Sequence, residues 1–140
     1  MPDFRPLEER LGHTFRDQSL LLQALTHRSY LNEHSDWALA HNERLEFLGD
    51  AVLELIVTEH LYKHFANPEG DLTNWRAALV NAKTLAGISK DLNFEEYLLL
   101  SRGEARDKDT KARMYILANG IEAIIGAIYL DGGMKASETF

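Results

Sequence analysis

The chain has 140 residues, 45% of them apolar, with 22 acidic against 15 basic side chains and a formal net charge of −7. That size and apolar content suit one domain with a real core, and the absence of cysteine excludes a disulfide framework, thiolate chemistry and a cysteine-based zinc site. The acidic balance argues against a nucleic-acid binder of the usual basic kind, unless a cation neutralises clustered carboxylates and the basic residues gather on one surface.

Apolar periodicity is helical throughout and no run alternates as a strand does, so the expected fold class is all-α, a helical bundle around a central acidic-striped helix. Pro6 to Leu11 reads as a short first helix stopped by Gly12. Asp17 caps a second through Leu20, Leu21, Ala24 and Leu25, which leads into LTHRSY and a polar stretch, NEHSDWALAH. His41 to Phe65 follows as a long helix, and Asn67-Pro68-Glu69-Gly70 forms a turn. Asp71 or Thr73 then starts a helix through Trp75, Ala78, Leu79 and Val80, and Thr84 to Leu92 reads as one more. Residues 101–113, SRGEARDKDTKAR, are charged and mixed in sign, which predicts an exposed loop. A last, buried helix spans Tyr115 to Leu130, and Gly132-Gly133 ends it. MKASETF looks like the opening of a further helix, so the expectation is one domain over residues 1–140 whose last helix is cut short. The N-terminus carries no apolar signal core, and the apolar run near the C-terminus is interrupted and reads as too short to span a bilayer. The expected location is cytoplasmic, with no membrane partner.

In HNERLEFLGDAVLELIVTEHLYKHF, Glu43, Glu46 and Asp50 are three and four residues apart and fall within an arc of about 60° on one helix face. Like charges stacked in this way repel. Leu45, Phe47, Leu48, Ala51, Val52, Leu53, Leu55 and Ile56 are expected to cover most of the remaining circumference. In YILANGIEAIIGAIYL, from Tyr115 to Leu130, only Asn119 and Glu122 break an otherwise apolar, Gly and Tyr composition. A buried carboxylate needs a partner, a proton or a cation. If the face bearing Asn119 and Glu122 meets the acidic stripe, several hard oxygen donors converge as Mg²⁺ requires. The competing expectation for Glu46, Asp50 and Glu122 is a buried ion-pair network with Arg44 or Arg76. A helical di-iron carboxylate site needs Glu-x-x-His pairs, and the sequence has none.

The string NERLEFLGDAVL resembles the signature of the ribonuclease III family, bacterial type. In order along the chain, LTHRSY, EGDLTNWRAALV, LLLSRGE and ILANGIEAIIGAIYLDGG extend the resemblance over essentially the whole sequence. It implies an all-helical nuclease domain that cleaves double-stranded RNA with Mg²⁺, for which Mn²⁺ substitutes. The products carry 5′-phosphate and 3′-hydroxyl ends with two-nucleotide 3′ overhangs, and such staggered cutting calls for a homodimer. Nothing in the sequence resembles the double-stranded-RNA-binding domain that commonly follows the nuclease domain.

Carried over by position, the resemblance implies that Glu46, Asp50 and Glu122 serve metal binding and catalysis, with Asp50 and Glu122 catalytic. The fourth acidic position of bacterial members is usually Asp and here is Asn119, which retains a carbonyl oxygen but one negative charge fewer. Glu43 and Glu69 match further acidic positions that line the RNA-binding valley or the cutting site, and a solvated surface charge is an equal alternative for each. His27, Arg28 and Arg76 are candidates for RNA phosphates, although basic residues at helix ends also satisfy carbonyls or surface ion pairs. Phe47 matches an aromatic residue that fills a socket in the partner subunit, the alternative being an ordinary core phenylalanine. The rival function is a weakened or inactive member of the fold that binds structured RNA or a protein partner.

Overall fold

The structure is a computed structural model that describes residues 3–36, 39–106 and 111–139. Helix α1, Arg5–Leu11, has Pro6 in its first turn, where a missing N–H costs nothing, and stops at Gly12, whose φ of 71° lies in the left-handed region. Asp17 caps α2, Gln18–Ala24, by accepting from the Ser19 amide. Helix α3, Arg28–Glu33, was not expected; its cap is the side chain of His27. Helix α4, Glu43–His64, is the long acidic-striped helix. Helix α5, Glu69–Leu79, begins earlier than Asp71 or Thr73, because extended Pro68 serves as its N-cap and Glu69 and Asp71 favour the positive helix end. Helix α6, Ala82–Leu92, also starts early, since the Asn81 side chain accepts from the Thr84 amide at 2.9 Å.

The segment expected as an exposed loop is structured where it is described. Helix α7, Arg102–Arg106, occupies its start, while residues 107–110 lie outside the described residues. The Ser101 and Arg102 amides donate to Ser29 Oγ and the Glu33 carboxylate. Arg113, at the far end of the segment, is buried and pairs with Glu95 at 2.6 Å. Helix α8, Lys111–Thr139, breaks at Gly133, where φ is 81°, so the Gly132-Gly133 stop and the renewed helix after it are both present. Trp37 and Ala38 of the polar stretch and Phe140 lie outside the described residues.

Between them, α4 and α8 make the principal helix pair of the fold. Of the two, α8 is the more enclosed: Leu117, Ala118, Ile121, Ala123, Ile124, Ile125, Ala127 and Ile128 are all buried. By length and composition its span Lys111–Ser137 could cross a membrane, contrary to the expectation from sequence, but most of it is packed inside the domain. Along α4 only Leu45, Gly49, Val52 and Leu61 are buried, and Phe47 and Leu55, expected to help cover the helix, are 82% and 52% exposed. One side of α4 therefore lies on α8, and the other presents apolar groups outward.

Two glycines set how closely these helices approach. A Cβ on Gly49 would stand 1.6 Å from the Glu122 carbonyl oxygen, and one on Gly126 would stand 2.3 Å from that of Leu45. Backbone therefore lies on backbone at the crossing, and Glu122 is brought beside the turn of α4 that carries Glu46 and Asp50. Buried polar ties hold the periphery. Asp131 accepts from the amides of Arg16 and Asp17 and meets His13 Nε2 at 2.8 Å. Burial works against its charge, yet these donors outweigh it and hold its pKa below the usual range.

Candidate active site

The entrance of α4 is pinned from below by Asn42. Its amide donates to the Thr26 carbonyl at 3.0 Å, its side chain donates to that of Ala24 at 3.0 Å, and its own carbonyl accepts from Glu46. The acidic turns of α4 are thus fixed to the end of α2 as well as to α8. Above them opens a cavity of about 610 Å³, lined by His27, Arg28, Glu43, Glu46, Asp50, Asn119 and Glu122, with Asn42, Phe47 and Ile116 completing the wall. The acids of α4 and the polar pair of α8 meet there. The sequence did not point to Asn42 or Ile116; an Asn just before an apolar-periodic run is a helix-cap signal, and for Ile116 there was none.

The electrostatics of the cavity are those of uncompensated negative charge. Glu122 has its pKa pushed from 4.5 to about 8, chiefly by burial, then by a hydrogen bond with Asp50 and the charges of Asp50, Glu46 and Glu54. Glu46 is also raised, by burial and by Glu43 and Asp50. Among the described residues no Lys or Arg pairs with Glu46, Asp50 or Glu122: the arginine pairs are Arg5 with Asp3, Arg28 with Glu43 at 3.4 Å, and Arg113 with Glu95. The ion-pair network with Arg44 or Arg76 is therefore not what the fold builds. Carboxylates left to repel one another across a cavity are balanced by protons or by a cation.

The donor set suits a hard divalent ion, since every candidate ligand is a carboxylate or amide oxygen. Among the described residues no three Asp, Glu or His side chains already converge as a ligand cluster. The remaining candidates divide. Glu43 lies on the rim, paired with Arg28, while Glu69 and Arg76 are not brought to this cavity. They line a second one, about 540 Å³, between the C-terminal half of α4 and α5, where Arg76 donates to Thr58 Oγ1 at 3.0 Å. Phe47 stands out from the protein surface, which removes the core-phenylalanine alternative.

A folded-state pKa above the unfolded value means that the native protein binds the proton more tightly. Stability from Glu122 is thus greatest below about 4.5 and is lost as pH rises through about 8. In chelator, the thermal midpoint of the wild type should fall across that window and that of Glu122→Gln should fall less, leaving the variant the more stable of the two at pH 8. Equal slopes in scanning calorimetry would remove the electrostatic account.

A family model described as ribonuclease-III-like matches residues 17–140. The chain is 48% identical over 132 residues to Ribonuclease 3 of Oceanobacillus iheyensis, covering 94% of this chain and 58% of that protein. It is 50% identical over 137 residues to Ribonuclease 3 of Magnetococcus marinus, covering 94% and 55%. The chain thus spans little more than half the length of these curated relatives. Among solved structures, a nuclease domain of ribonuclease III from Campylobacter jejuni, studied for flexibility in a region involved in dimer formation, superposes with a TM-score of 0.87 at 43% identity, covering 98% of this chain and 92% of that one. Dicer from Pichia stipitis matches with a TM-score of 0.64 at 31% identity, covering 86% and 49%.

Proposed function

This chain belongs to the ribonuclease III family, and we propose that it is a Mg²⁺-dependent endoribonuclease that cleaves double-stranded RNA as a homodimer. Mn²⁺ is proposed to substitute for Mg²⁺. The observation that carries this reading is the meeting of Glu46, Asp50, Asn119 and Glu122 at one cavity, with no basic side chain among the described residues paired to the three acids and the Glu122 pKa driven to about 8. A divalent cation held by these oxygens would offset the clustered negative charge locally, which answers the objection raised by the net charge of −7.

In this reading Glu46 and Glu122 hold the ion, and Asn119 contributes a neutral carbonyl oxygen directly or through water. A divalent ion bound there supplies Lewis-acid neutralisation of the phosphate charge. Asp50, in hydrogen-bond reach of Glu122, orients or deprotonates the water that attacks phosphorus. Arg28, which lines the same cavity and pairs with Glu43, is proposed to meet a phosphate of the incoming strand. As the water oxygen bonds to phosphorus the P–O3′ bond breaks, and the leaving 3′-oxygen takes a proton from solvent water, which gives 3′-hydroxyl and 5′-phosphate ends.

The test is incubation with long double-stranded RNA across a Mg²⁺ series, reading product length and end chemistry. Short duplexes with 5′-phosphates and two-nucleotide 3′ overhangs are expected. Substrate intact at every concentration would overturn the nuclease reading in favour of a non-catalytic RNA- or protein-binding member.

The two-nucleotide stagger requires two sites, one per protomer. Phe47, 82% exposed beside the acidic turn, is proposed to seat in the cavity that Leu61, Tyr62, Phe65 and Leu72 line on a second copy. A buried aromatic anchor at the centre of an interface is worth about 2 kcal/mol or more. Phe47→Ala should therefore weaken the dimer at least about thirtyfold in sedimentation velocity, with the circular dichroism spectrum unchanged. An unaltered dimer would remove Phe47 from the interface.

A further inference from the structure

His27 does more in this fold than begin a short helix. The Ser29 backbone N–H points at its Nδ1 at 3.2 Å, and an N–H can only donate, so Nδ1 must hold a lone pair. Ser29 Oγ lies 2.8 Å from the same nitrogen and itself accepts the Ser101 amide at 2.9 Å, which leaves the hydroxyl hydrogen to serve Nδ1 as well. The neutral ring therefore carries its proton on Nε2. Burial, followed by the positive charge of Arg28, holds the imidazole below its usual pKa despite Glu104 and Glu43. The main chain is pinned too. His27 N donates to the Leu99 carbonyl at 3.0 Å, and Leu99 N donates to that of Leu25 at 2.8 Å, so a short parallel bridge fixes the residue against the 98–101 segment.

The ring is thus held by Ser29 in the first turn of α3 and the backbone by Leu99 outside that helix, and the ring lines the cavity that contains Glu46, Asp50, Asn119 and Glu122. With Nδ1 satisfied, and with no partner for Nε2 among the described residues, Nε2 is the polar edge left to the cavity. Resting on the nuclease reading above, we infer that His27 is a substrate-binding residue, presenting a tautomer-locked Nε2–H to an acceptor oxygen of the RNA ribose-phosphate backbone. A neutral donor is the chemistry this place calls for. An imidazolium would compete with the cation that the neighbouring acids require, whereas an uncharged N–H adds direction without adding charge. Pre-organisation by Ser29 and Leu99 means that little ordering is left for substrate binding to accomplish.

Two variants separate the cap from the donor. In His27→Asn the amide oxygen replaces Nδ1 as acceptor for Ser29 N–H and the distal donor is lost. In His27→Gln a terminal N–H reaches the Nε2 region and the cap is lost. Cleavage of double-stranded RNA in Mg²⁺ is expected to fall about tenfold in kcat/KM for Asn, with an unchanged thermal midpoint, and to stay within about threefold of wild type for Gln, with a lowered midpoint. The reverse order would show that His27 is only a cap and overturn the inference. Wild type that cleaves while the Asn variant matches it sinks this inference alone; wild type that leaves RNA intact sinks the nuclease reading beneath it. Repeating the Asn comparison with 2′-deoxy nucleotides flanking the cut identifies the acceptor. A lost difference assigns the 2′-oxygen, and a persisting one assigns a phosphate oxygen.

Discussion

Glu122→Gln is expected to lower the rate of double-stranded RNA cleavage about a thousandfold while the protein stays folded. The change is isosteric, so the packing of α8 on α4 is kept; what disappears is a negative charge and a proton acceptor at the centre of the cavity. The Glu122 carboxyl is pushed up to about 8 by burial first, then by Asp50, Glu46 and Glu54. A carboxylate so placed, costly to ionise alone, is a natural counterpart of a divalent cation. Withdrawing a charge that holds the ion against the phosphate forfeits several kcal/mol of transition-state neutralisation, and loss of a ligand weakens binding of the ion in addition. Single-turnover cleavage of an end-labelled duplex, with Mg²⁺ raised until the rate stops increasing, measures both effects. Asp50→Asn should lose a comparable factor in the saturated rate. A Glu122→Gln protein within tenfold of wild type at every Mg²⁺ concentration would show that this carboxylate neither holds the ion nor takes part in the step. Because the variant is also expected to be more stable than wild type at pH 8 without metal, unfolding cannot be the reason for lost activity.

The second large effect is on the fold. Gly49→Ala should destabilise the domain by more than about 3 kcal/mol, beyond the usual 1–3 kcal/mol range for an overfilled core, and lower the thermal midpoint by about 10 °C. The obstacle is backbone: the new methyl carbon would stand 1.6 Å from the Glu122 carbonyl oxygen, with Gly126 N 2.9 Å away. No rotamer change relieves that overlap, so α4 and α8 must separate. Gly126→Ala, whose methyl would meet the Leu45 carbonyl at 2.3 Å, should act in the same direction. Gly87→Ala supplies the contrast, because it lies within α6 with nothing within 4 Å of the added carbon. There the gain in helix propensity should stabilise by about 0.5–1 kcal/mol. Urea unfolding of the three variants checks the set. A Gly49→Ala protein as stable as wild type would mean that the crossing is looser than described. Activity should fall with stability in the first two variants, since separated helices carry Glu122 away from Glu46 and Asp50.

Much of this arrangement was legible before any coordinates. Helical periodicity gave the long helix and the last buried one, and Asp17 and Gly12 mark boundaries found at those places. Spacing put Glu43, Glu46 and Asp50 on one face, and the rarity of polar residues in the last helix singled out Asn119 and Glu122. The misreadings have specific causes. Helix α3 was overlooked because its cap is a histidine, a residue type that does not advertise a helix start. The 101–113 segment read as open loop because its charges suggested solvent, whereas Arg113 is drawn inward by Glu95 and the Ser101 and Arg102 amides by α3. That Glu69 and Arg76 line the second cavity is a matter of α5 packing on the far half of α4, which periodicity does not carry; their proposed contact with RNA is a separate question.

By itself the sequence determined the helical class, the family, and the angular grouping of carboxylates on α4, since these follow from local periodicity and from residue identities in order. Only the tertiary structure decided which side of α4 is covered, that Phe47 faces outward, and that Asn42 and the Gly49–Gly126 contact bring Glu122 to Glu46 and Asp50. The physical reason is that a helix sets the angle between its own side chains, whereas the neighbour lying opposite, and at what distance, is settled by how closely two backbones can pack.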